Sequence, residues 1–358
     1  MRLFVSEFIC GGGWSGGERP ASLVREGAAM LRAFLGDLLR LPGVCVVTTW
    51  DRRLGSELGI ASPAVEVIPL SGPEEEQLVF DRLCREVDCV YVIAPELDHE
   101  LSRRVSAISR QKPLSQTGNC SVAAIDLCGD KWALFDHFTQ QGIPTIPTVC
   151  VDSGNDVSTL GWPRVLKLRW GAGSQAMQRV DSPLDWDRAI RSYDPASYST
   201  AAIAQPFVEG FALSVGAIID RAGTVHLLPI ADQFIDLAGG FAYRGGRIPS
   251  THAGGSLDAL LRRALATIPG LFGYVGIDVL IPASFPDQPP GQVPLTERSS
   301  IGPPLIVEIN PRLTTSYVGY QQLCIDNLAG LWIGPESVLA PLRWRPGAVE
   351  FDAAGVFQ

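Results

Sequence analysis

The order of strand and helix patterns predicts an α/β protein in which a parallel sheet precedes two mixed α+β subdomains. In the first third of the chain, three apolar strand patterns alternate with two helical patterns, an order typical of parallel sheets. After about residue 119, strand pairs joined by short turns indicate antiparallel pairing. The 358 residues, 46% of them hydrophobic, are enough for two or three domains. We expect these domains at residues 1–118, 119–204 and 205–358.

The predicted first unit begins with the apolar strand RLFVSEF, and its later strands are VCVVTTW and CVYVIAPE. A helix from about Ser22 repeats apolar residues at steps of three and four. A second helix begins at Pro73, which Ser71 and Glu74 flank as in a capping box. Ligands of parallel sheets bind beyond the carboxyl ends of the strands. The segments EFICGGG, TTWD and APELD therefore border the expected site.

The segment FICGGGWSGG contains Gly11-x-Gly13-x-x-Gly16, the spacing of a dinucleotide-binding loop. A nicotinamide oxidoreductase is therefore one alternative. In such a loop the helix begins within the glycines, whereas here Pro20 intervenes, and Asp51 lies well beyond the expected distance of about 20 residues. We expect the segment to face a substrate instead. The candidate contacts are Glu7, Gly12 and Gly13.

The predicted second unit contains a helix that Asp130 caps and Gly142 ends. The strands PRVLKLRW and AMQRV follow, joined by the turn GAGS, and TAAIAQPFV is the next strand. The third unit begins with the hairpin LSVGAIID and VHLLPIA and ends with the strands YVGIDVLIP and PLIVEINP. The proline-rich residues 285–303 between the last two strands are expected to form an exposed loop.

Composition excludes several classes of protein. The net charge of −9 argues against a nucleic-acid partner. Eight scattered cysteines without CxxC spacing and four scattered histidines give no zinc signature and favour reduced core cysteines. The N-terminus lacks the unbroken apolar run of a signal peptide, and no segment approaches the roughly 18 apolar residues of a membrane span. We expect a cytoplasmic protein without a membrane partner, and a homodimer is left open.

Lysine is rare in this chain, which directs attention to the places where it occurs. Only three of the 29 basic residues are lysines, namely Lys112, Lys131 and Lys167. Lys131 begins a helix after Asp130, and Lys167 lies in an apolar strand just before the turn GAGS. A glycine turn presents backbone N–H groups to an anion, and a lysine ammonium is a compact partner for phosphate oxygens. Lys131 and Lys167 together with the turn therefore predict a phosphate site.

Carboxylates occur within two strands near the end of the chain. Asp278 lies in GIDVL, and Glu308, Asn310 and Arg312 alternate in VEINPR, so they project from one face. If the two strands pair, Asp278 lies beside Glu308 and Asn310. Such hard oxygen ligands suit Mg²⁺ that also binds nucleotide phosphates. Arg312 is suited to clamping a transferred phosphoryl group.

In this order, the motifs DK, LK with a glycine turn, QPFVEG, GID and EINPR resemble the ATP-grasp ligases over residues 119–330. The resemblance implies an ATP-grasp fold, in which two α+β subdomains grip ATP, after a Rossmann-like N-terminal domain. It implies ATP with Mg²⁺ or Mn²⁺, and Asp278, Glu308 and Asn310 as the metal ligands. Arg312 would steady the phosphoryl group. The implied ATP contacts are Lys131, Lys167, Gly171, Gly173, Ser174, Gln205, Phe207, Val208 and Glu209.

Within that superfamily, SEFICGGGW, SLVREGAAML, APE and EINPRLTTSYVGY are most similar to the tyramine–glutamate ligases of methanofuran biosynthesis. The resemblance implies that ATP phosphorylates the side-chain carboxylate of glutamate and that the amine of tyramine then attacks, releasing ADP and phosphate. The small-molecule substrates would thus be an amino acid and an amine. Thr314, Thr315 and Ser316 would face the amino acid.

The chain departs from the family pattern in two places. Many ATP-grasp ligases carry a ribose-binding glutamate where this chain has Ala212, so Glu209 or another group is expected to serve. D-alanine–D-alanine ligases carry an arginine where this chain has Gly276, and Arg244 or Arg247 could supply that charge, with Arg244 the catalytic candidate. A D-alanine-type ligase, in which Glu18 would bind a substrate ammonium, and a non-catalytic nucleotide sensor remain alternatives.

Overall fold

The structure is a computed structural model, and the residues that it describes share three sheets and the helices around them. The described residues are 1–55, 57–113, 116–151, 157–193, 201–238, 240–252, 257–284, 300–334 and 341–358. Residues 285–299, most of the predicted exposed loop, lie outside this set. None of the described helices is long and apolar enough to cross a membrane.

The first sheet is parallel, as predicted, and its strand order is β3-β2-β1-β4. Its strands are β1 (Arg2–Glu7), β2 (Cys45–Asp51), β3 (Val65–Leu70) and β4 (Cys89–Ile93). The sequence patterns had not indicated β3. That strand is partly exposed and contains Pro69, both typical of an edge strand with a weak apolar signal.

The first sheet is accompanied by α1 (Ala21–Leu38), α2 (Pro73–Glu86) and α3 (Glu100–Ser109). The first helix begins after Pro20, so the glycines stay outside it, as expected from the sequence. The predicted capping box of α2 is wrong. Gly72 occupies the N-cap position, and the Ser71 backbone N–H donates to Glu75, not Glu74, at 2.8 Å.

The second sheet is antiparallel, with the order β5-β8-β6-β7. Its strands are β5 (Val149–Val151), β6 (Arg164–Leu168), β7 (Gln178–Val180) and β8 (Ala202–Pro206). The helices of this region are α4 (Val122–Gly129), α5 (Lys131–Gln140) and α6 (Pro183–Ser192). Asp130 caps α5 as predicted, because its side chain accepts from Trp132 N and Ala133 N.

The third sheet has eight strands among the described residues, six of them in the order β14-β13-β9-β11-β12-β16. The strands are β9 (Gly210–Ile219), β10 (Val225–Leu227), β11 (Ala231–Asp236), β12 (Ala242–Ile248), β13 (Gly273–Ser284), β14 (Ser300–Ile301), β15 (Leu305–Asn310) and β16 (Val349–Asp352). β10 pairs with β9 and β15 with β13, both antiparallel. Helices α7 (Leu257–Ala266) and α8 (Ser316–Leu323) complete this region.

Helix α1 joins the first region to the third. The Tyr317 hydroxyl, on α8, donates to Asp37 Oδ2 at 2.6 Å, and the Phe34 ring stacks on Trp332 with centroids 5.6 Å apart. All four side chains are buried. One face of α1 is therefore fixed against the C-terminal part of the chain, which brings the side chains of its first turns toward the large sheet.

Candidate active site

A cavity of about 510 Å³ lies between the second and third sheets. Strand β6 and the turn after it line one wall, strands β9, β11, β13 and β15 line the other, and Glu26 reaches it from α1. This volume is typical of a small-molecule site.

Both predicted phosphate-binding lysines line this cavity. Asp130 connects them: while it caps α5, its carboxylate accepts from Arg169 Nε and Nη2 at 2.8 and 2.6 Å, which joins the end of β6 to the start of α5. Lys167 is only 4% exposed, and Lys131 Nζ lies 3.4 Å from Glu308 Oε2. Burial lowers the pKa of Lys167 to about 8, although the nearby Glu308 carboxylate acts in the opposite direction.

The predicted carboxylates meet on the opposite wall. β13 and β15 pair so that Asp278 lies directly opposite Glu308, and Gly276 lies opposite Asn310. Burial and the charge of Glu308 raise the pKa of Asp278. Burial also acts to raise the pKa of Glu308, but the ammonium groups of Lys131 and Lys167 outweigh it and hold that pKa low.

These oxygens fit a divalent cation. Two partly buried carboxylates paired across neighbouring strands repel each other, which helps to raise the pKa of Asp278, and a cation between them removes that cost. Asn310 Nδ2 donates to Asp278 Oδ2 at 3.0 Å, and Gln233 Nε2 donates to Asp278 Oδ1 at 2.8 Å. The described residues contain no group of three or more His, Cys, Asp or Glu side chains suited to a metal, so an amide oxygen has to complete this set.

Arg312 lines the same cavity, but its guanidinium is already engaged. Its Nε lies 3.0 Å from both carboxylate oxygens of Glu96, and Nη1 donates to Leu313 O at 3.1 Å. Glu96 follows β4 in the segment APELD, which the sequence had marked as bordering the site without assigning it a role. The pairing could not be predicted because the two residues are 216 positions apart.

The turn after β6 covers the lysine end of the cavity. Gly171 O accepts from Lys131 Nζ at 2.7 Å, and Ser174 Oγ donates to Phe241 O at 2.8 Å. Gly173 and Ser174 have φ angles of 65° and 59°, a region in which Gly is unstrained and Ser is not. Gly171, Gly173 and Ser174 thus lie where a lid over phosphates was predicted.

The predicted hinge residues Gln205, Phe207, Val208 and Glu209 all line the cavity. Gln205 is buried and its Nε2 donates to Thr148 Oγ1 at 2.8 Å. Ala212 also lines the cavity and offers no acceptor for a ribose, whereas Glu209 is exposed three residues earlier. Glu209 as a ribose ligand stays a prediction.

The predicted hydroxyl residues lie on the loop between β15 and α8. Thr314, Thr315 and Ser316 line the cavity, and the last two are buried. Thr314 Oγ1 lies 2.9 Å from the Tyr274 hydroxyl, and Ser316 Oγ lies 3.4 Å from Ser214 Oγ. Their role toward the substrate stays a prediction.

Four predicted site residues do not line this cavity. Glu7 is 1% exposed and accepts from the backbone N–H of Cys10, and its carboxylate packs under Gly27 of α1. Gly12 and Gly13 pack against Leu70 and against the ring of Phe8. Arg244 is 62% exposed at its side chain and pairs with Asp236 at 2.6 Å. The structure therefore gives no support to Glu7, Gly12 or Gly13 as substrate contacts or to Arg244 as a catalytic residue.

The remainder of the glycine-rich segment borders a second, more open cavity of about 500 Å³. Trp14, Gly16, Gly17 and Glu18 line it together with three arginines, Arg19, Arg25 and Arg53. Asp51, at the end of β2, is fully buried and pairs with Arg19 at 2.6 Å and with Arg53 at 2.7 Å. This second cavity is distinct from the central one, and the expectation that the segment faces a substrate stays a prediction.

An α/β chain in which two sheets enclose paired lysines and paired carboxylates has the architecture of a nucleotide-dependent ligase. Residues 128–316 match the ATP-grasp domain family, and residues 44–125 match the pre-ATP-grasp domain. The chain belongs to the ATP-grasp family. The fold and the family that the sequence motifs had indicated are thereby confirmed.

The chain is also similar to individual proteins. A tyramine–L-glutamate ligase of Methanocaldococcus fervens is 31% identical over 237 residues, which cover 65% of this chain and 62% of that protein. The corresponding protein of Methanocaldococcus jannaschii is 22% identical over 306 residues, 85% and 80% of the two chains. An ATP-grasp superfamily protein of Archaeoglobus fulgidus superposes with a TM-score of 0.66 at 20% identity, covering 98% of this chain and 92% of that one.

Proposed function

We propose that the protein joins a carboxylate to an amine through an acyl phosphate, with the side-chain carboxylate of glutamate and the amine of tyramine as substrates. ADP, phosphate and an amide are the products. One observation supports the reaction above all others: Lys131 and Lys167 face Asp278 and Glu308 within a single cavity. Lys131 Nζ and Glu308 Oε2 are 3.4 Å apart. Ammonium groups and carboxylates this close suit a nucleotide with a bound metal ion, because the phosphates need cations and the metal needs oxygen ligands.

In this proposal the two walls of the cavity bind different parts of the ATP–metal complex. Lys167 and Lys131 bind phosphate oxygens, and Gly171, Gly173 and Ser174 cover them and exclude water. Asp278, Glu308 and Asn310 would hold Mg²⁺, whose charge offsets that of the phosphates. The hinge residues from Gln205 to Glu209 bind the adenosine portion.

Phosphorylation solves the chemical difficulty of the reaction. A carboxylate is a poor acyl donor because its leaving group is oxide. One carboxylate oxygen attacks the γ-phosphorus, the bond from phosphorus to the ADP oxygen breaks, and ADP leaves with that electron pair. Arg312, positioned by Glu96, lies where it can neutralise the charge of the new acyl phosphate. Most of the rate enhancement then comes from orientation and charge neutralisation.

The choice of glutamate and tyramine is supported by the two Methanocaldococcus proteins, which bear that name. The 31% match spans less than two thirds of its relative, so the substrate pair is the finer part of the proposal. Thr314, Thr315 and Ser316 add hydroxyl groups suited to the polar end of an amino acid.

A D-alanine-type ligase is the second candidate, and one contact argues against it. A side chain at Gly276 would collide with the Thr314 methyl group, so the arginine of those ligases has no room unless Thr314 moves. Arg244, the predicted substitute, points away from the cavity.

Release of ADP tests the proposed function. We expect ADP formation from Mg-ATP only when an acid and an amine are both present, with glutamate plus tyramine the best pair in a panel that includes D-alanine. A sensor would bind Mg-ATP without turnover. No ADP release with any pair would refute the ligase reaction, and preference for D-alanine would refute the substrate pair alone.

A further inference from the structure

Glu26 is an acidic side chain that lines the cavity and that the proposed reaction has not yet used. It lies in the second turn of α1 and reaches the cavity from the first region of the chain, whereas the metal-binding carboxylates come from the large sheet. Among the described residues its carboxylate takes part in no ion pair. A partly buried carboxylate without a counter-ion is costly, which suggests that a ligand supplies one.

The charged groups around Glu26 locate it beside the point of acyl transfer. Arg312 and Arg25 are near enough for their charges to act on its carboxyl, although Arg312 is bonded to Glu96. Burial outweighs both and raises the pKa of Glu26 to about 7. Since Arg312 is expected to contact the acyl phosphate and Glu26 lines the same cavity, we expect Glu26 to lie near that group.

A second polar group faces the same space. Tyr243, on β12, lines the cavity, and its buried hydroxyl has no hydrogen-bond partner of full geometry among the described residues, although Ser316 is near enough to lower its pKa. Burial and the charges of Glu26 and Asp278 raise the pKa of Tyr243, and Glu26 and Tyr243 line the same cavity. Within the described part of the chain, this carboxylate forms no ion pair and this hydroxyl no hydrogen bond, so the two are suited to one polar group of a ligand.

We propose that Glu26 binds the ammonium group of the amine substrate and accepts its proton, with the Tyr243 hydroxyl as a second contact. This inference rests on the proposed ligase function and assigns the site of the attacking amine. A primary amine is protonated at neutral pH and has no lone pair for attack. Transfer of one proton to Glu26 frees that pair.

The step balances without another reactant. The nitrogen lone pair forms the bond to the acyl carbon, and the bond from that carbon to the phosphate oxygen breaks with its electrons leaving on phosphate. A second nitrogen proton leaves with the departing phosphate. The site therefore predicts a cationic amine as the acceptor, in preference to a neutral alcohol or water.

Hydroxylamine distinguishes the binding of the amine by Glu26 from the earlier formation of the acyl phosphate. It is largely unprotonated at pH 7 and traps acyl phosphates as hydroxamates without needing an ammonium site. For Glu26→Gln we expect hydroxamate formation from glutamate and ATP within about twofold of wild type, while kcat/KM for tyramine falls about 10²-fold or more, as for loss of a general base. The matched control is Glu74→Gln, which removes the same charge from the exposed face of α2 and should change neither reaction.

Three outcomes are distinguishable. If Glu26→Gln loses hydroxamate and amide formation equally, Glu26 acts on activation through Arg312, and the amine-site proposal is wrong. If both rates are unchanged, it is also wrong. If wild type forms no hydroxamate with any acid, the proposed function fails instead. Tyr243→Phe should raise the KM for tyramine severalfold with hydroxamate formation unchanged, which a purely structural role would not produce.

Discussion

The two glycine-rich segments of this chain look alike in sequence and differ in what surrounds them. In the first, Gly11 and Gly13 are buried among backbone and ring atoms of the first region, and an added Cβ at Gly11 would collide with the carbonyl oxygen of Glu7. In the second, Gly171 and Gly173 cover the lysines of the central cavity. Glycine spacing alone therefore indicates only a tight backbone. A lysine before the glycines favours a phosphate-binding loop, whereas a proline after them argues against one.

We expect the largest effect on activity from substitutions in the central cavity, which the second glycine-rich segment covers. Lys167→Ala should lower kcat/KM for ADP release by about 10²–10³-fold or more, because it removes the buried cation that the proposal assigns to the ATP phosphates. Glu308→Gln should have a similar effect and weaken the Mg²⁺ dependence. Circular dichroism and thermal unfolding should match wild type for both, and Arg244→Ala should retain nearly full activity. Near-normal turnover of Lys167→Ala would mean that the phosphate site is elsewhere.

The first segment should respond to substitution through stability. Gly11→Ala forces a methyl group against the Glu7 backbone, and overpacking of this kind costs about 1–3 kcal/mol in the free energy of unfolding. Denaturant titration should detect this loss, while the KM for ATP of the folded protein stays unchanged. A large rise in that KM without a loss of stability would give the first segment a nucleotide-binding role after all.

The matching change in the second segment should have the opposite profile. Gly173 has a φ of 65°, and an added Cβ would lie 2.9 Å from Leu23 Cδ2. A left-handed alanine costs about 1–2 kcal/mol, so Gly173→Ala should raise the KM for ATP about tenfold if this conformation covers the phosphates. Steady-state kinetics of ADP release measure this KM, and isothermal titration with an ATP analogue measures the matching dissociation constant. A lowered melting temperature with unchanged affinity would contradict the lid assignment.

The last expected effect depends on pH and concerns Glu7 beneath the first segment. Burial raises its pKa from 4.5 to about 7, so the folded protein binds more protons than the unfolded chain between those values. Stability from this group is present at pH 4.5 and below and is lost as pH rises to about 7, a change on the order of 1–3 kcal/mol. Glu7→Gln should flatten the dependence of unfolding free energy on pH across this range, with Glu74→Gln as the control. An unchanged slope would show that the carboxyl is not buried as described.

The sequence predicted what depends on local pattern. Asp278 and Glu308 were placed together because both lie in apolar strands that a hairpin would pair, and Asp130 was identified as a cap by its position before α5. Parallel pairing in the first sheet followed from alternation of strands and helices. The partly exposed β3, with Pro69, lacked that signal.

Contacts between residues that are far apart in the sequence could not be predicted from local patterns. Glu96 and Arg312 are 216 positions apart, and Glu26 reaches the cavity because α1 is fixed against α8. Arg244 was selected for its charge and glycine neighbours, but strand alternation points it away from the cavity, whereas the adjacent Tyr243 lines it. The strand end that carries Glu7 was identified correctly. The carboxylate of Glu7 nevertheless lies under helix α1 and not in the central cavity.

Isotope transfer tests the central claim most directly. The protein is supplied with ATP, the amine, and glutamate that carries ¹⁸O in its side-chain carboxylate, and the released inorganic phosphate is examined by mass spectrometry. An acyl phosphate transfers one carboxylate oxygen to phosphate, so the phosphate formed should carry one ¹⁸O. ADP should be the nucleotide product. Unlabelled phosphate, or AMP with pyrophosphate, would contradict the account.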